Sequence, residues 1–240
     1  MPNIVILLPP SEGKAPGGGR PPWNPTSGRF GRTLGRGRRA VASALVAVGG
    51  GNQVLLGVGG AHLERAKAAN TTCVGGPTLP AWQRFTGVVW DHLDVASLPT
   101  AARRRATDRL VVVSGLAGLN GIDDPLPDFR LKMSVGLGDI GKVAAHWRPL
   151  ISPAINDLGA GGLVVDLLPA EHAAAWEPEP DRYTLVRVDL VDEAGRKAGH
   201  AAKAAKGLLA RQLVTASGPK AVLALLDGNH HVGGFTVTPR

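Results

Sequence analysis

The chain has a single cysteine, Cys73, among 240 residues, which excludes an intramolecular disulfide and any metal site built from several thiolates. Aromatics are also scarce, with five Trp, four Phe and one Tyr, so a core must be mainly aliphatic. No apolar run approaches the roughly 20 residues that span a bilayer. The longest, such as Ile4 to Leu8, are strand-sized, so a membrane-spanning protein is excluded. The chain does not open on a basic segment, an apolar run and a small-residue cleavage site, and a cytoplasmic location is the expectation. Carboxylates are missing where bases are dense. From Gly13 to Leu63 there are seven bases and no acid, and from Arg196 onward seven bases face Asp227 alone, while the middle is net acidic. The total is +8 with a pI of about 10.2. Such a balance points to nucleic acid or another polyanion. The 19 Arg against 8 Lys, in a chain rich in Ala, Gly and Pro, equally fit a GC-biased coding sequence.

What is present can fold: 44% of residues are apolar and 19% charged, and the length is read as one domain over residues 1–240. Ile4 to Leu8 reads as a buried strand stopped by Pro9 and Pro10, followed by a long punctuated loop from Ala15 to Pro25 that leads into the arginine-rich segment Arg29 to Arg39. Helices are expected over Ala40 to Val48, Ala61 to Ala69, Ala101 to Arg109, Lys142 to Leu158 (interrupted by Pro149 and Pro153) and Lys197 to Ala216. Strands are expected at Leu110 to Val113, Leu163 to Leu168 and Thr184 to Val191. Interleaved strands and helices predict an α/β fold, a mixed β-sheet flanked by helices.

Several segments carry groups suited to chemistry. Ser11-Glu-Gly-Lys follows the first strand, so Glu12 and Lys14 fall near a strand's carboxyl end, where α/β proteins bind ligands. The turn Ser114-Gly115 after a valine run offers backbone amides to an anion, although the Walker and Gly-x-Gly-x-x-Gly spacings are missing. Asp128 to Met133 alternates Asp128, Arg130 and Lys132 outward against Phe129, Leu131 and Met133 inward. Asp166, Glu171 and His172 add carboxylates and an imidazole suited to acid–base work or to ion pairs with arginine. On the last long helix, Arg196, His200, Lys203 and Arg211 form a basic strip with Lys206 beside it and Gly207 within it, a place for phosphate or another backbone to approach closely. The apolar side is expected at Ala201, Ala205, Leu208, Leu209 and Gln212. Seven histidines show no His-Glu-x-x-His pattern, and neither a metal nor a cofactor is expected.

The order of these segments resembles the YaaA family of peroxide-stress proteins, also labelled DUF328 and UPF0246. Six segments carry the resemblance: Pro10 to Lys14, Phe85-x-Gly-x-Val-Trp, Ser114-Gly-Leu-x-Gly-Leu, Phe129-Arg-Leu-x-Met, Asp166 to Glu171 and Ala202 to Arg211. The resemblance implies a compact YaaA-like α/β fold with a helix-hairpin-helix-like element, a basic cleft, binding to duplex DNA and a role in limiting oxidative damage. The chain departs from the pattern at Trp90, Phe129, Lys206 and Asp166, and Gly121-Ile-Asp-Asp replaces an Arg-Pro after the Ser-Gly-Leu turn. Two expectations follow. In the first, Lys14, Ser114, Gly115, Arg130, Lys132, His200, Lys203, Lys206, Gly207 and Arg211 contact the phosphates of duplex DNA or another polyanion. In the second, the same cations hold a nucleotide, nucleoside or other small anionic substrate, and Glu12, Asp166 or Glu171 supplies acid–base catalysis.

Overall fold

Five consecutive aliphatics at Ile4–Leu8 form β1, buried at every position, which requires cover on both of its faces. The computed structural model describes residues 3–197 and 199–240. After β1 come β2 (Gly13–Lys14), α1 (Gly31–Ala47), α2 (Gln53–Leu56), α3 (Gly60–Thr71), β3 (Thr78–Pro80), α4 (Ala81–Arg84), β4 (Phe85–Thr86), α5 (Val88–Leu93) and α6 (Thr100–Arg109). The second half contains β5 (Leu110–Ser114), β6 (Gly118–Gly121), β7 (Pro125–Pro127), α7 (Val143–Gly159), β8 (Leu163–Asp166), α8 (Ala170–Ala173), β9 (Thr184–Val191), α9 (His200–Thr215), α10 (Pro219–Ala224), β10 (His231–Val232) and β11 (Phe235–Pro239). Strands and helices alternate as the hydrophobic pattern predicts, and the fold is α/β with a mixed sheet.

The main sheet has seven strands in the order β10-β11-β9-β8-β1-β5-β6. Its centre is parallel, with β1 between β5 and β8 and β9 beyond β8, and antiparallel pairs close both edges. The chain leaves β1 toward β5 on one side and leaves β8 toward β9 on the other, so the connections diverge between two adjacent strands. In open parallel sheets such a switch point opens a crevice at the carboxyl ends, which is where ligands bind.

Several elements differ from the sequence reading. The arginine-rich segment is helical: α1 begins at Gly31 and buries Leu34, Gly37, Arg38, Val41 and Leu45 on one side. Helix α7 runs unbroken through Pro149 and Pro153. Each proline removes the donor to the carbonyl four residues back, on Ala145 and on Pro149. Ala145, Pro149 and Pro153 all lie on the exposed side, so the freed carbonyls are on the solvent face of the helix. The turn from Ser114 to Gly118 joins β5 to β6 in a hairpin, in keeping with the valine strand that precedes it. Helix α9 starts at His200, later than expected, and residue 198 of the expected helix lies outside the described residues.

Buried arginines bind the loops to this frame. Arg38 donates to the carbonyls of Pro25, Ser27, Ala117 and Leu119, and Arg84 to those of Ala15, Gly17, Pro77 and Leu126. Arg109 holds Leu213, Ala216 and Ser217 at the end of α9. Replacing Arg38 with methionine keeps most of the volume but strands buried acceptors, at about 1–3 kcal/mol for each one left without water. Arg38→Met is therefore expected to lose roughly 3 kcal/mol or more, read as a lower urea midpoint. An unchanged midpoint would show that water already serves those carbonyls.

Candidate functional site

Pro9 and Pro10 end β1 because neither can donate to the sheet, and the chain turns through Ser11 and Glu12 into β2. Lys14 pairs there with Phe85 of β4 in antiparallel register. The Lys14 Nζ donates to the Ser11 carbonyl at 2.9 Å and lies 4.2 Å from the centroid of the Phe129 ring. Burial pulls this amine from its ordinary value down to about 7; Arg130 and Arg84 push the same way, and Asp128 and Glu12 oppose them. Lys14 is thus a half-neutral amine at neutral pH.

The segment after Pro127 is irregular, yet its side chains alternate as expected, with Phe129, Leu131 and Met133 buried and Arg130 and Lys132 half-buried. Arg130 is fixed at both ends. The buried Asn70 accepts from the Arg130 backbone N–H at 2.8 Å and donates to its carbonyl at 2.9 Å, while the Arg130 Nε donates to the Leu56 carbonyl at 2.8 Å. The remaining Nη2 donates to Glu12 Oε2 at 2.6 Å, and the Lys132 Nζ lies 3.7 Å from Glu12 Oε1. Partial burial would raise the Glu12 carboxyl, but Lys132 and Arg130 outweigh it and hold it below the usual carboxylate value.

The β8 side supplies the other half. Asp166, the last residue of β8, lies beside Leu7 of β1; it accepts from the Leu168 N–H at 2.9 Å and is 3.5 Å from the Arg187 guanidinium. Burial raises its carboxyl against those partners. Glu171 accepts from the Ser134 hydroxyl at 2.9 Å, and its other oxygen is 3.5 Å from Nδ1 of His172, a buried ring nitrogen with no hydrogen bond among the described residues. Burial pulls His172 down to about 4 despite Glu171, with Lys206 and Lys14 pushing the same way. Lys206 reaches over from α9 to donate to the Leu167 carbonyl at 2.5 Å, and burial lowers it to about 8 against Asp166 and Asp189. Lys203, one turn earlier, is exposed and its charge acts on Glu12.

The switch point therefore gathers Glu12, Lys14, Arg130, Lys132, Asp166, Glu171, Lys203 and Lys206. Other expected site residues stand elsewhere. Arg211 spends its guanidinium on the carbonyls of Leu93 and Asp94 and the hydroxyl of Ser97, just beyond α5. Gly207 sits where α9 crosses α5; a Cβ there would fall 2.8 Å from that of His92 and closer still to the Val89 carbonyl, so the close approach is by backbone. Ser114 is buried against Asn120, and the Gly115 carbonyl accepts from the Trp147 indole at 2.7 Å. His200 is exposed at the first residue of α9, and Arg196 pairs with Asp192 before the helix begins. Helix α9 buries Ala202, Ala205, Leu209, Ala210, Leu213 and Val214, a packed face displaced from the expected one, which had included the exposed Ala201. A cavity of about 220 Å³ lies at the opposite end of β1, and the Arg29 and Arg109 in its lining already donate to backbone carbonyls.

Sequence reasoning missed Ser134, Asn70 and Arg187. Ser134 continues the outward positions 128, 130 and 132, so the same alternation extended by one step would have found it. Asn70 and Arg187 gave no local signal, because each acts through a partner distant in sequence.

A mixed sheet, parallel at its centre and interleaved with helices, places the chain in the α/β class, with charged groups gathered at its switch point. Residues 4–227 match the family model described as Peroxide stress protein YaaA. A UPF0246 protein of Streptomyces coelicolor is 36% identical over 238 residues, covering 96% of this chain and 90% of that protein. UPF0246 proteins of Corynebacterium glutamicum and Corynebacterium efficiens are 33% and 32% identical, each covering 88% of this chain and 84% and 85% of their own lengths. The chain belongs to the YaaA peroxide-stress family.

Two measurements test this geometry. Gly207→Ala should gain about 1 kcal/mol of helix propensity yet lose more to overpacking against α5, giving a net loss of about 1–2 kcal/mol by urea denaturation. Net stabilisation would mean that α9 and α5 are not in contact there. Lys14 titrates near 7 when folded and near 10.5 when free, so between those values the unfolded chain binds more protons and stability rises with pH. Lys14→Met should remove up to about 1.4 kcal/mol per pH unit of that rise, measured as the difference from wild type across pH 7 to 10.

Proposed function

We propose that this chain is a cytoplasmic YaaA-type protein that binds duplex DNA without reading its bases, and so contributes to protection against peroxide stress. The observation that carries this reading is the convergence of Arg130, Lys132 and Lys203, from two segments far apart in sequence, around the carboxyl ends of β1 and β8, with the buried Lys206 bonded to the Leu167 carbonyl behind them. The family membership supports the stress role. No helix among the described residues is long and apolar enough to cross a membrane. Phosphate contacts of this kind release counterions, so affinity falls with salt at a slope of about −0.9 per phosphate and depends little on sequence.

One observation favours a second reading, an enzyme for a nucleotide, nucleoside or other small anionic substrate. Burial lowers both Lys14 and His172, the latter beside Glu171, and perturbed groups of this kind cluster at catalytic sites. Glu12 is then an ion-paired residue, and Glu171 and Asp166 are the candidates for proton transfer.

Fluorescence anisotropy with a short duplex at several salt concentrations tests the first reading. Wild type should bind with a slope of about −3, and Lys203→Ala should reduce its magnitude by about 1 with its urea midpoint unchanged. Arg211→Ala should lower stability and leave the slope unchanged. Failure of the wild type to bind at low salt would transfer the cations to the enzyme reading, for which Glu171→Gln would lose turnover with substrate affinity retained.

A further inference from the structure

Arg130 shows an unusual investment in position. Asn70, fully buried, holds its backbone on both sides and also donates to the Gly50 carbonyl at 2.8 Å, and the Leu56 carbonyl fixes the Nε. A guanidinium held in this way presents its outer amines to whatever stands in front of it, at little further cost in side-chain entropy. What stands there is the Glu12 carboxylate, with one oxygen on Arg130 and the other facing Lys132.

Glu12 itself is poorly held. Its side chain is 67% exposed, against 18% for Arg130, and it lies on a short loop between β1 and β2. The backbone of that loop is pinned separately, because the Lys14 Nζ donates to the Ser11 carbonyl and the Ser11 hydroxyl to that of Gly13. The carboxylate can leave by rotating its own side chain, with the loop in place. A preorganised cation pair occupied by a loosely tethered carboxylate has the form of an anion site filled by an internal surrogate.

We propose that Arg130 and Lys132, with Lys203 alongside, form a phosphoryl-binding subsite and that Glu12 occupies it as a displaceable pseudo-ligand, lowering affinity until an external phosphate takes its place. The proposal deepens the anion-binding reading of this site. It supplies a function for a carboxylate that otherwise opposes binding of a polyanion at the point where the cations converge. Two oxygens of a phosphoryl group can reproduce both Glu12 contacts; a phosphate monoester or pyrophosphate also brings more charge than the carboxylate it displaces, and a backbone phosphodiester brings the same single charge.

The test compares wild type, Glu12→Gln and Asp181→Asn for binding of inorganic pyrophosphate by calorimetry and of a 12-base-pair duplex by anisotropy, at one fixed ionic strength. Asp181→Asn makes the same change of charge at an exposed position just before the amino end of β9, the other end of the sheet. Glu12→Gln is expected to tighten pyrophosphate binding about tenfold, with Asp181→Asn within about twofold of wild type. Adding Lys132→Gln to Glu12→Gln should remove most of the gain. Equal gains in the two single variants, or no pyrophosphate binding by Glu12→Gln, would overturn the proposal. A gain with both ligands assigns the subsite to the nucleic-acid backbone. A gain with pyrophosphate in a protein that binds no duplex assigns it to a free phosphate ester, which upholds the subsite while removing the DNA reading.

Discussion

The fold depends on arginine side chains that collect backbone carbonyls. A chain with 33 Gly and 19 Pro is rich in loops, and proline offers no N–H, so carbonyls outnumber donors wherever loops are packed against the core. Arginine carries five donors in a planar fork and accepts nothing, which suits that deficit. Arg38 ties the loop before α1 to the β5–β6 hairpin, Arg84 gathers the long loop after β2 against β7, and Arg109 and Arg211 both secure the carboxyl-terminal part of α9, one from α6 and the other to the end of α5. Burial lowers Arg38 only to about 10, so it keeps its charge and its donors at neutral pH.

This use of arginine changes what the net charge means. A total of +8 reads from the sequence as a polyanion footprint, yet several of the bases behind it are internal braces whose field is spent on carbonyl dipoles. The cations left to meet a ligand include Arg130, Lys132 and Lys203 at the strand ends, the exposed Arg32, Arg36 and Arg39 along α1, and the scattered Arg20, Arg104, Lys142 and Lys220. Composition could not separate the two classes, because an arginine that braces a loop and one that binds phosphate look alike until their neighbours are known.

Much of the frame was legible. The aliphatic runs at Ile4, Leu110 and Leu163 are the three central strands, and two prolines and a Gly-rich turn marked where two of them end. The 128–133 alternation survived even without a regular strand, since burial of every second side chain needs only an extended backbone. What could not be read depended on context. Proline in α7 breaks nothing because its orphaned carbonyls face water, and α1 begins early because its small and basic residues pack against partners far along the chain. The site was half legible: strand-end residues were found from local pattern, whereas the supports of Arg130 and Asp166 come from α3 and β9 and leave no local trace.

The cations at the switch point also constrain one another. Arg130 depresses Lys14, Lys203 depresses Lys206, and both lysines depress His172, each by adding to the cost of burial. Like charges crowded in a low-dielectric site are tolerable only with anions among them, and here Glu12, Asp166 and Glu171 serve, one on the β1 side and two on the β8 side. The three are unequally committed. Asp166 is buried and bonded to backbone, Glu171 is held by Ser134, and Glu12 is mostly solvent-exposed. An arriving anion competes first where the internal one is least buried, since desolvation there is smallest and the freed carboxylate returns to water. The order of burial among these carboxylates is what would favour the proposed exchange of an internal partner for an external one at Arg130 and Lys132.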